Sequence, residues 1–194
     1  MKFVLASGNA HKLSEIRNIL GNSFEIISMN DTTAKGHEVI EDGTTFEENA
    51  EKKALEIMKI TGLPTIADDS GLCVDALGGA PGIYTARYAG ENATNDENID
   101  KLLANLQGVP FEKRGATFVA VIAVAFPNGT VKKFRGEVKG KILTERQGAN
   151  GFGYDPVFFI EEHKATMAEL DGEVKNSLSH RFNALKKMAE ELSL

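Results

Sequence analysis

The sequence predicts an α/β protein with a mixed β-sheet flanked by helices, and three patterns lead to this fold class. A strand-like run at residues 3–6 is followed by apolar residues at helical spacing up to Gly21 and by a second strand-like run at 24–27. This β–α–β order is typical of a parallel sheet. Two strand-like stretches flank Asn128-Gly129, which is a strong hairpin signal. A final amphipathic helix is predicted over residues 179–192.

Helix and strand signals between these ends complete the order of elements. Thr44 or Thr45 can cap a helix over 46–61, with Glu48 as the capping-box acid three residues after Thr45. Gly62 and Pro64 end that helix. We expect an acidic turn, Asp68-Asp69-Ser70, between two short strands. The remaining predictions are a helix from Thr94 or Asn95 through Leu106 and strands at 65–67, 71–74, 116–126, 131–138 and 157–160.

Length and charge narrow the class of protein. The 194 residues suit one domain, 1–194, with at most a modest second lobe. Lysine and arginine number 22 against 28 acidic residues, a net charge of −6, which argues against a nucleic-acid partner. A nucleotide enzyme remains open, because a small ligand needs only a few local cations.

Cysteine content and hydropathy indicate the compartment of the protein and whether it crosses a membrane. The single cysteine, Cys73, permits no intrachain disulfide, which favours a reducing, cytoplasmic location. The longest nearly apolar stretch, 116–126, is far below the ~20 residues that a membrane helix needs. We therefore expect no membrane partner and interpret this stretch as a buried central strand.

Ser7-Gly8-Asn9-Ala10-His11-Lys12 lies where the first strand is predicted to lead into the first helix. The N-terminus of a helix offers unpaired N–H groups and a positive dipole end, which suit a phosphate. Gly8 permits a close backbone approach, and Lys12 follows Asn9 by one helical turn, so both can point at one ligand. An ordinary helix cap beside a solvated lysine explains the same residues, so this segment alone leaves both interpretations open.

Two adjacent acids, Asp68 and Asp69, follow the apolar pair Ile66-Ala67. Mg²⁺ prefers oxygen ligands and usually takes one or two carboxylates besides water and substrate phosphates. The pair is therefore a candidate Mg²⁺ site, although a solvated acidic turn fits the same residues. A second acidic cluster, Glu38, Glu41 and Asp42, lies on a predicted loop that can fold towards the same place.

Two further segments combine aromatic or cationic side chains with turn residues. Gly151-Phe152-Gly153-Tyr154-Asp155-Pro156 can present an aromatic platform to a base, and Asp155 can accept hydrogen bonds from ring N–H groups. Arg181 is predicted at the start of a helix, where the dipole disfavours a cation unless an anion lies nearby. Lys175 and Ser179-His180-Arg181 therefore suit an anionic ligand, while core aromatics and solvated charges are the structural alternatives.

These segments, in this order and spacing, resemble the Ham1-type, inosine-triphosphate pyrophosphatase family over nearly the whole chain. Six ordered motifs make the resemblance specific. They are Ser7-Gly8-Asn9-x-x-Lys12; Glu41-Asp42-Gly43-x-Thr45-Phe46-x-Glu48-Asn49-Ala50-x-x-Lys53-Ala54; Ala67-Asp68-Asp69-Ser70-Gly71-Leu72; Gly78-Gly79-Ala80-Pro81-Gly82-Ile83-Tyr84-x-Ala86-Arg87-Tyr88; Gly151-Phe152-Gly153-Tyr154-Asp155-Pro156; and Ser179-His180-Arg181.

The resemblance implies an activity and an architecture. The reaction would be hydrolysis of a deaminated purine nucleoside triphosphate (ITP, dITP or XTP) to the monophosphate and pyrophosphate, with Mg²⁺ as cofactor. The role would be removal of damaged nucleotides from the nucleotide pool. The implied structure is an elongated homodimer subunit of two lobes with a central cleft that holds the site.

The resemblance also implies residue roles at the matching positions. Asp69 would be the proton acceptor, and Glu41 and Asp69, with Asp68 as a further candidate, would bind Mg²⁺. Phe152 would stack on the base. The implied substrate-binding set is Ser7, Gly8, Asn9, Ala10, His11, Lys12, Lys53, Ser70, Phe152, Gly153, Tyr154, Asp155, Lys175, His180 and Arg181.

For base specificity, our hypothesis is that His180 or Arg181 donates to the 6-oxo group of hypoxanthine or xanthine. Adenine presents a 6-amino donor there and would leave donor facing donor, which a site built for hydrogen bonds rejects strongly. Two other functions remain as alternatives: a Maf-like pyrophosphatase acting on other nucleotides, and a nucleotide-binding protein without catalysis. The 152–155 and 179–181 segments argue against the first, and the retained pair Asp68-Asp69 argues against the second.

Overall fold

The computed structural model describes residues 2–21 and 24–192, except for the side chain of His11. The strands are β1 (Lys2–Leu5), β2 (Glu25–Ser28), β3 (Thr65–Val74), β4 (Gly115–Ala125), β5 (Val131–Ile142), β6 (Phe158–Ile160) and β7 (Ala165–Thr166). The α-helices are α1 (Ala10–Leu20), α2 (Phe46–Thr61), α3 (Asn95–Asn105), α4 (Gly172–Leu178) and α5 (His180–Leu192).

The seven strands form one sheet in the order β2-β1-β3-β4-β5-β6-β7. Strand β1 pairs in parallel with both β2 and β3, and β6 pairs antiparallel with β5 and β7. The turn between β4 and β5 is closed by Phe126 N–H to Thr130 O and Gly129 N–H to Phe126 O. Gly129 has φ 87°, a conformation that glycine adopts without steric cost. The predicted mixed α/β sheet and its hairpin are therefore confirmed.

Contacts divide the chain into two compact units. The first contains residues 1–69, 120–136 and 180–194, and the second contains 70–119 and 137–179. In the first unit, α1 and α5 pack on a core that includes Phe3, Ile16, Ile122 and Leu185. In the second, α3 contributes to a core that includes Leu72, Leu102, Phe118 and Phe158.

Several element boundaries differ from the sequence predictions. The predicted acidic turn is wrong: β3 runs without a break from Thr65 to Val74, through Asp68, Asp69 and Ser70. Side-chain partners stabilise the two carboxylates inside the strand, which a local pattern does not reveal. Strand β5 extends four residues past the predicted end, to Ile142, and α4 and β7 were not predicted. None of the helices among the described residues has the length and apolarity needed to cross a bilayer.

Candidate functional site

The first predicted segment caps helix α1. Asn9 Oδ1 accepts the N–H of Lys12 at 3.3 Å, and Ser7 Oγ accepts the N–H of Asn9 at 3.1 Å. Asn9 is thus the N-cap residue of α1, a position at which asparagine is strongly preferred. Gly8, Asn9 and Ala10 are exposed, so this helix end is open to a ligand. The prediction for the His11 side chain lies outside the described residues.

Asp68 is buried and fully engaged by cations. Its Oδ1 accepts from Lys12 Nζ at 2.6 Å, and its Oδ2 accepts from Arg181 Nε at 2.9 Å. Burial by itself would raise the pKa of Asp68, but the charges of Arg181 and Lys12 hold that pKa well below its usual value. The carboxylate is therefore ionised, and it draws Lys12 and Arg181 together.

Arg181 sits at the start of α5 and is only 1% exposed. Its guanidinium donates to both oxygens of Asp68 and to Glu15 Oε2 on α1. Burial opposes its charge, but Asp68 and Glu15 raise its pKa further above the ordinary value. The anion that the sequence required beside this helix start is supplied within the protein, by Asp68 and Glu15.

Asp69 pairs with different partners from those of Asp68. Lys53 Nζ lies 3.0 Å from Asp69 Oδ1, 3.2 Å from Glu41 Oε1 and 2.9 Å from the backbone oxygen of Asp68. The other oxygen of Asp69, Oδ2, is buried without a hydrogen-bond partner among residues 2–21 and 24–192. Burial raises the pKa of Asp69 to about 6, although the charge of Lys53 opposes this shift. Asp69 is thus a carboxylate with one oxygen available for chemistry.

The loop before α2 brings Glu41 to this place. Asn49, which is buried, accepts the N–H of Gly43 through Oδ1 at 2.8 Å. Glu48 accepts the N–H and the hydroxyl of Thr44, and Thr45 Oγ1 accepts the N–H of Glu48. Thr45 is therefore the cap, which settles the choice left open by the sequence. Of the acidic cluster in this loop, Glu41 faces Lys53, whereas Asp42, which is exposed, pairs with Lys52.

A divalent cation fits the chemistry of Glu41 and Asp69. Among the described residues no group of three or more His, Cys, Asp or Glu side chains forms a metal site. Mg²⁺ commonly takes only one or two carboxylates and completes its coordination with water and phosphate oxygens. The unpartnered Oδ2 of Asp69 beside Glu41 provides such a carboxylate pair. Asp68 offers no comparable oxygen, since both of its oxygens accept from cations.

A second group of predicted residues forms around Phe152, in the second unit. Asp155 Oδ2 accepts from Lys175 Nζ at 2.7 Å and from the N–H of Phe152 at 2.9 Å. Lys175 Nζ also lies 5.0 Å from the centre of the Phe152 ring, a cation–π distance. Gly151 has φ 78°, and a Cβ there would come within 2.1 Å of Asp155 Oδ2. The loop is therefore compact, with the Phe152 ring 42% exposed.

The other predicted residues are distributed as follows. Tyr154 is buried and its hydroxyl donates to Thr85 O, whereas Gly153 and Ser70 are half-buried. His180 is half-buried at the first position of α5. Sequence reasoning missed Glu15, although it follows Lys12 by three positions and so shares a helix face with it. Sequence reasoning also missed that Asn49 holds the loop at Gly43, because the only signal for Asn49 was its place in a motif.

Comparisons with known proteins agree with the fold. A model of the Ham1 family matches residues 3–191. A dITP/XTP pyrophosphatase of Geobacter sulfurreducens is 52% identical over 98% of this chain and 96% of its own length. The Ham1 protein of Staphylococcus aureus superposes with a TM-score of 0.91 at 41% identity, covering 100% of this chain and 98% of that one. A HAM1 protein from Coxiella burnetii gives 0.92 at 41% identity, with the same coverage. The chain belongs to the Ham1 family.

Proposed function

We propose that this protein hydrolyses deaminated purine nucleoside triphosphates, such as dITP, ITP and XTP, to the monophosphate and pyrophosphate. The observation that carries the proposal is the Asp69 carboxylate, which is buried beside Lys53 and Glu41 and keeps one oxygen unpartnered among the described residues. The relative from Geobacter sulfurreducens, named as a dITP/XTP pyrophosphatase, supports the choice of substrate. Removal of such nucleotides would keep them out of newly made nucleic acid.

The phosphates of the substrate would bind at the N-terminus of α1 and at two lysines. Ser7, Gly8, Asn9 and Ala10 surround an exposed helix end whose dipole favours an anion. Lys12 and Lys53 are held in place by Asp68 and Asp69, so little side-chain freedom is lost when a phosphate binds. A triphosphate would then contact two cations that are already held by neighbouring residues of β3.

A divalent cation, which we propose to be Mg²⁺, would be held by Glu41 and Asp69. Bound there, it would neutralise charge on the phosphates and on the departing pyrophosphate. Lys53 now bridges the two carboxylates, and it would keep the pair partly neutralised when the metal is absent. We propose that Asp68 is the counterion that orients Lys12 and Arg181 and is not a metal ligand.

In the reaction, a water oxygen would attack the α-phosphorus while the bond from that phosphorus to the bridging oxygen breaks. Asp69 would orient this water and accept its proton, and the cation, when bound, would lower the pKa of the water and so assist its deprotonation. Pyrophosphate would leave with the bridging oxygen. Lys12 and Lys53 would stabilise the charge that develops on it, because fixed cations need no reorganisation.

The loop around Phe152 would bind the base. Stacking on Phe152 would contribute roughly 1–3 kcal/mol, as for bases on aromatic side chains elsewhere. Asp155 and Lys175, fixed by their mutual ion pair, offer an acceptor and a donor to the ring edge. Direct contact of Arg181 with the base stays a prediction, and the structure holds its guanidinium between Asp68 and Glu15. His180 remains the candidate donor to the 6-oxo group.

The experiment that tests this function measures pyrophosphate released from dITP, XTP, dGTP and dATP, with Mg²⁺ or with chelator. We expect Mg²⁺-dependent release of pyrophosphate from dITP and XTP. Asp69→Asn should abolish this release, since the substitution replaces the carboxylate with an uncharged amide of nearly identical shape. Lys52→Ala is the matched control, because its partner Asp42 is exposed. Release of orthophosphate, equal rates on all four nucleotides, or full activity of Asp69→Asn would each contradict the proposal.

We also propose that the protein is a homodimer in the cytoplasm. The family resemblance supports the dimer, and the use of a single cysteine supports the compartment. Sedimentation velocity at micromolar concentration measures the first directly. A monomer that retains full activity would refute the dimer without affecting the proposed reaction.

A further inference from the structure

The fourth family motif, residues 78–88, has no role in the proposed reaction, yet Thr85 within it makes three hydrogen bonds. Thr85 Oγ1 accepts the N–H of Leu72 at 2.8 Å and donates to Gly82 O at 2.7 Å. The backbone oxygen of Thr85 accepts from the hydroxyl of Tyr154 at 2.8 Å. One residue therefore contacts both β3, just after Ser70, and the loop that carries Phe152.

Both partners of Thr85 are firmly packed. Leu72 is completely buried and Tyr154 is 2% exposed. The backbone N–H of Leu72 donates to the Thr85 hydroxyl, which takes the place of a carbonyl from a neighbouring strand. A buried N–H without an acceptor is strongly disfavoured. Tyr154 lies between Phe152 and Asp155 in sequence, so fixing its side chain restrains the loop that holds those two residues.

The segment around Thr85 is itself held on two sides. Val74 N–H donates to Ala80 O, and Cys73 and Pro81 form a β-bridge, which attaches the segment to the end of β3. On the other side, the buried Asn98 of α3 donates to Ala86 O and accepts the N–H of Ala89. Thr85 is therefore held in place, and its backbone oxygen fixes the position of the Tyr154 hydroxyl.

We propose that Thr85 is a positioning residue for base recognition, because it fixes the 151–155 loop relative to the second half of β3, which contains Ser70. The inference rests on the proposed function, in which this loop binds the base. Displacement of the loop would misplace Phe152, Asp155 and Lys175 with respect to Ser70. Binding of the base would weaken, while groups that act on the phosphates would keep their places.

The test compares Thr85→Val with Thr85→Ser. Valine has the shape of threonine but cannot accept from Leu72, whereas serine keeps the hydroxyl. For Thr85→Val we expect KM for dITP to rise roughly tenfold, as for a small misplacement of a bound group, with kcat changed less than about twofold. Affinity for dIMP, measured by calorimetry, should fall in parallel. Thr85→Ser should behave as the wild type.

Two other variants keep the test decisive. Tyr154→Phe removes only the hydroxyl that donates to Thr85 O, so it should raise KM in the same direction even if Thr85→Val fails to fold. Ile99→Val trims the buried core beside this segment, at a residue 1% exposed, without removing any of these hydrogen bonds. It should lower stability and leave KM unchanged.

The outcomes separate this inference from the proposed function. An active wild type with unchanged KM and dIMP affinity in Thr85→Val and Tyr154→Phe overturns the positioning role alone. An equal rise of KM in Ile99→Val also overturns it, since general destabilisation would then be the cause. A wild type that neither turns over dITP nor binds dIMP overturns both.

Discussion

At the scale of residues, two neighbouring carboxylates have opposite pKa shifts. Successive side chains of a strand point to opposite faces, so Asp68 meets Lys12 and Arg181 whereas Asp69 meets Lys53 and Glu41. Two cations hold the pKa of Asp68 down, and burial raises that of Asp69 to about 6. Groups whose environments separate their pKa values commonly have separate roles. Asp68 is suited to holding cations and Asp69 to accepting a proton.

The raised pKa of Asp69 predicts a stability effect in the metal-free protein. Its folded-state pKa of about 6 exceeds the unfolded value of 3.8, so ionisation destabilises the folded state above pH 6 and not below 3.8. In the presence of chelator, Asp69→Asn should increase the free energy of unfolding at pH 7.5 by on the order of 2 kcal/mol. The difference should vanish near pH 3.5, as measured by urea denaturation.

Asp68→Asn is the matched control and should act in the opposite direction. The depressed pKa of Asp68 stabilises the folded protein above pH 3.8, and this contribution is lost as the pH falls further. Its removal leaves Arg181 buried with only part of its counter-charge, which typically costs 3–5 kcal/mol. Equal effects of the two substitutions at pH 7.5 would show that the neighbours share one electrostatic environment.

Residue types were easier to predict than residue partners. The motifs singled out Lys12, Asp68, Asp69 and Arg181 from the sequence, because each is a chemically conspicuous residue beside a strand or helix end. The pairing of Asp68 with Arg181 joins residues 113 positions apart, and local periodicity carries no information about such a contact. For that reason the sequence suggested an external anion for Arg181, where the structure has Asp68 and Glu15.

At the scale of elements, the contact of β5 with α5 depends on a glycine. A Cβ on Gly136 would lie 2.1 Å from His180 O and 2.3 Å from Ala184 N, both backbone atoms. These atoms cannot move without displacing the start of α5, where His180 and Arg181 are. The absence of a side chain at position 136 therefore sets how closely the helix approaches the strand.

Gly136→Ala should accordingly destabilise the protein by about 1–3 kcal/mol, the usual effect of overpacking, and should reduce turnover of dITP. Gly172→Ala is the matched control, because no described atom lies within 4 Å of a Cβ there and its φ is not positive. Denaturation curves and initial rates of both variants check the prediction. A Gly136→Ala variant with wild-type stability would mean that α5 has room to shift.

Elements with strong local signals were predicted and those fixed by tertiary contacts were not. The Thr45 cap with Gly62 at φ 67° defines α2, and Asn128-Gly129 defines the β4–β5 turn, because turn and cap residues act on their own neighbours. Strand β7 has only two residues and α4 only seven. Such short elements are stable only within the fold, so their sequences carry little signal.

At the scale of the whole molecule, the net charge is −6 although the proposed substrate is a polyanion. Lys12 and Lys53, each already paired with carboxylates, are the cations proposed to meet the phosphates, and the net negative charge of the rest repels extended polyanions. We predict no binding of a labelled 20-base-pair DNA duplex up to about 10 μM protein at 150 mM salt, measured by fluorescence anisotropy. Micromolar affinity that weakens steeply with added salt would contradict the prediction.

The fold class and the family were predictable from the whole chain, since alternating apolar runs and six motifs extend from the first strand to the last helix. The division of the interior into two separate cores was not predictable from the sequence. Strand β4 contributes Ala116 and Phe118 to one core and Ala120, Ile122 and Val124 to the other. A single uninterrupted apolar run therefore serves both, and nothing in its composition marks the change.

The exposed ring of Phe152 has a practical consequence. The chain contains no tryptophan, so Phe152→Trp would create a single indole fluorophore on the loop proposed to bind the base. A purine stacked on that indole would quench its emission, and the change could be followed in a stopped-flow instrument. Nucleotide arrival could then be timed separately from pyrophosphate release, without any attached dye.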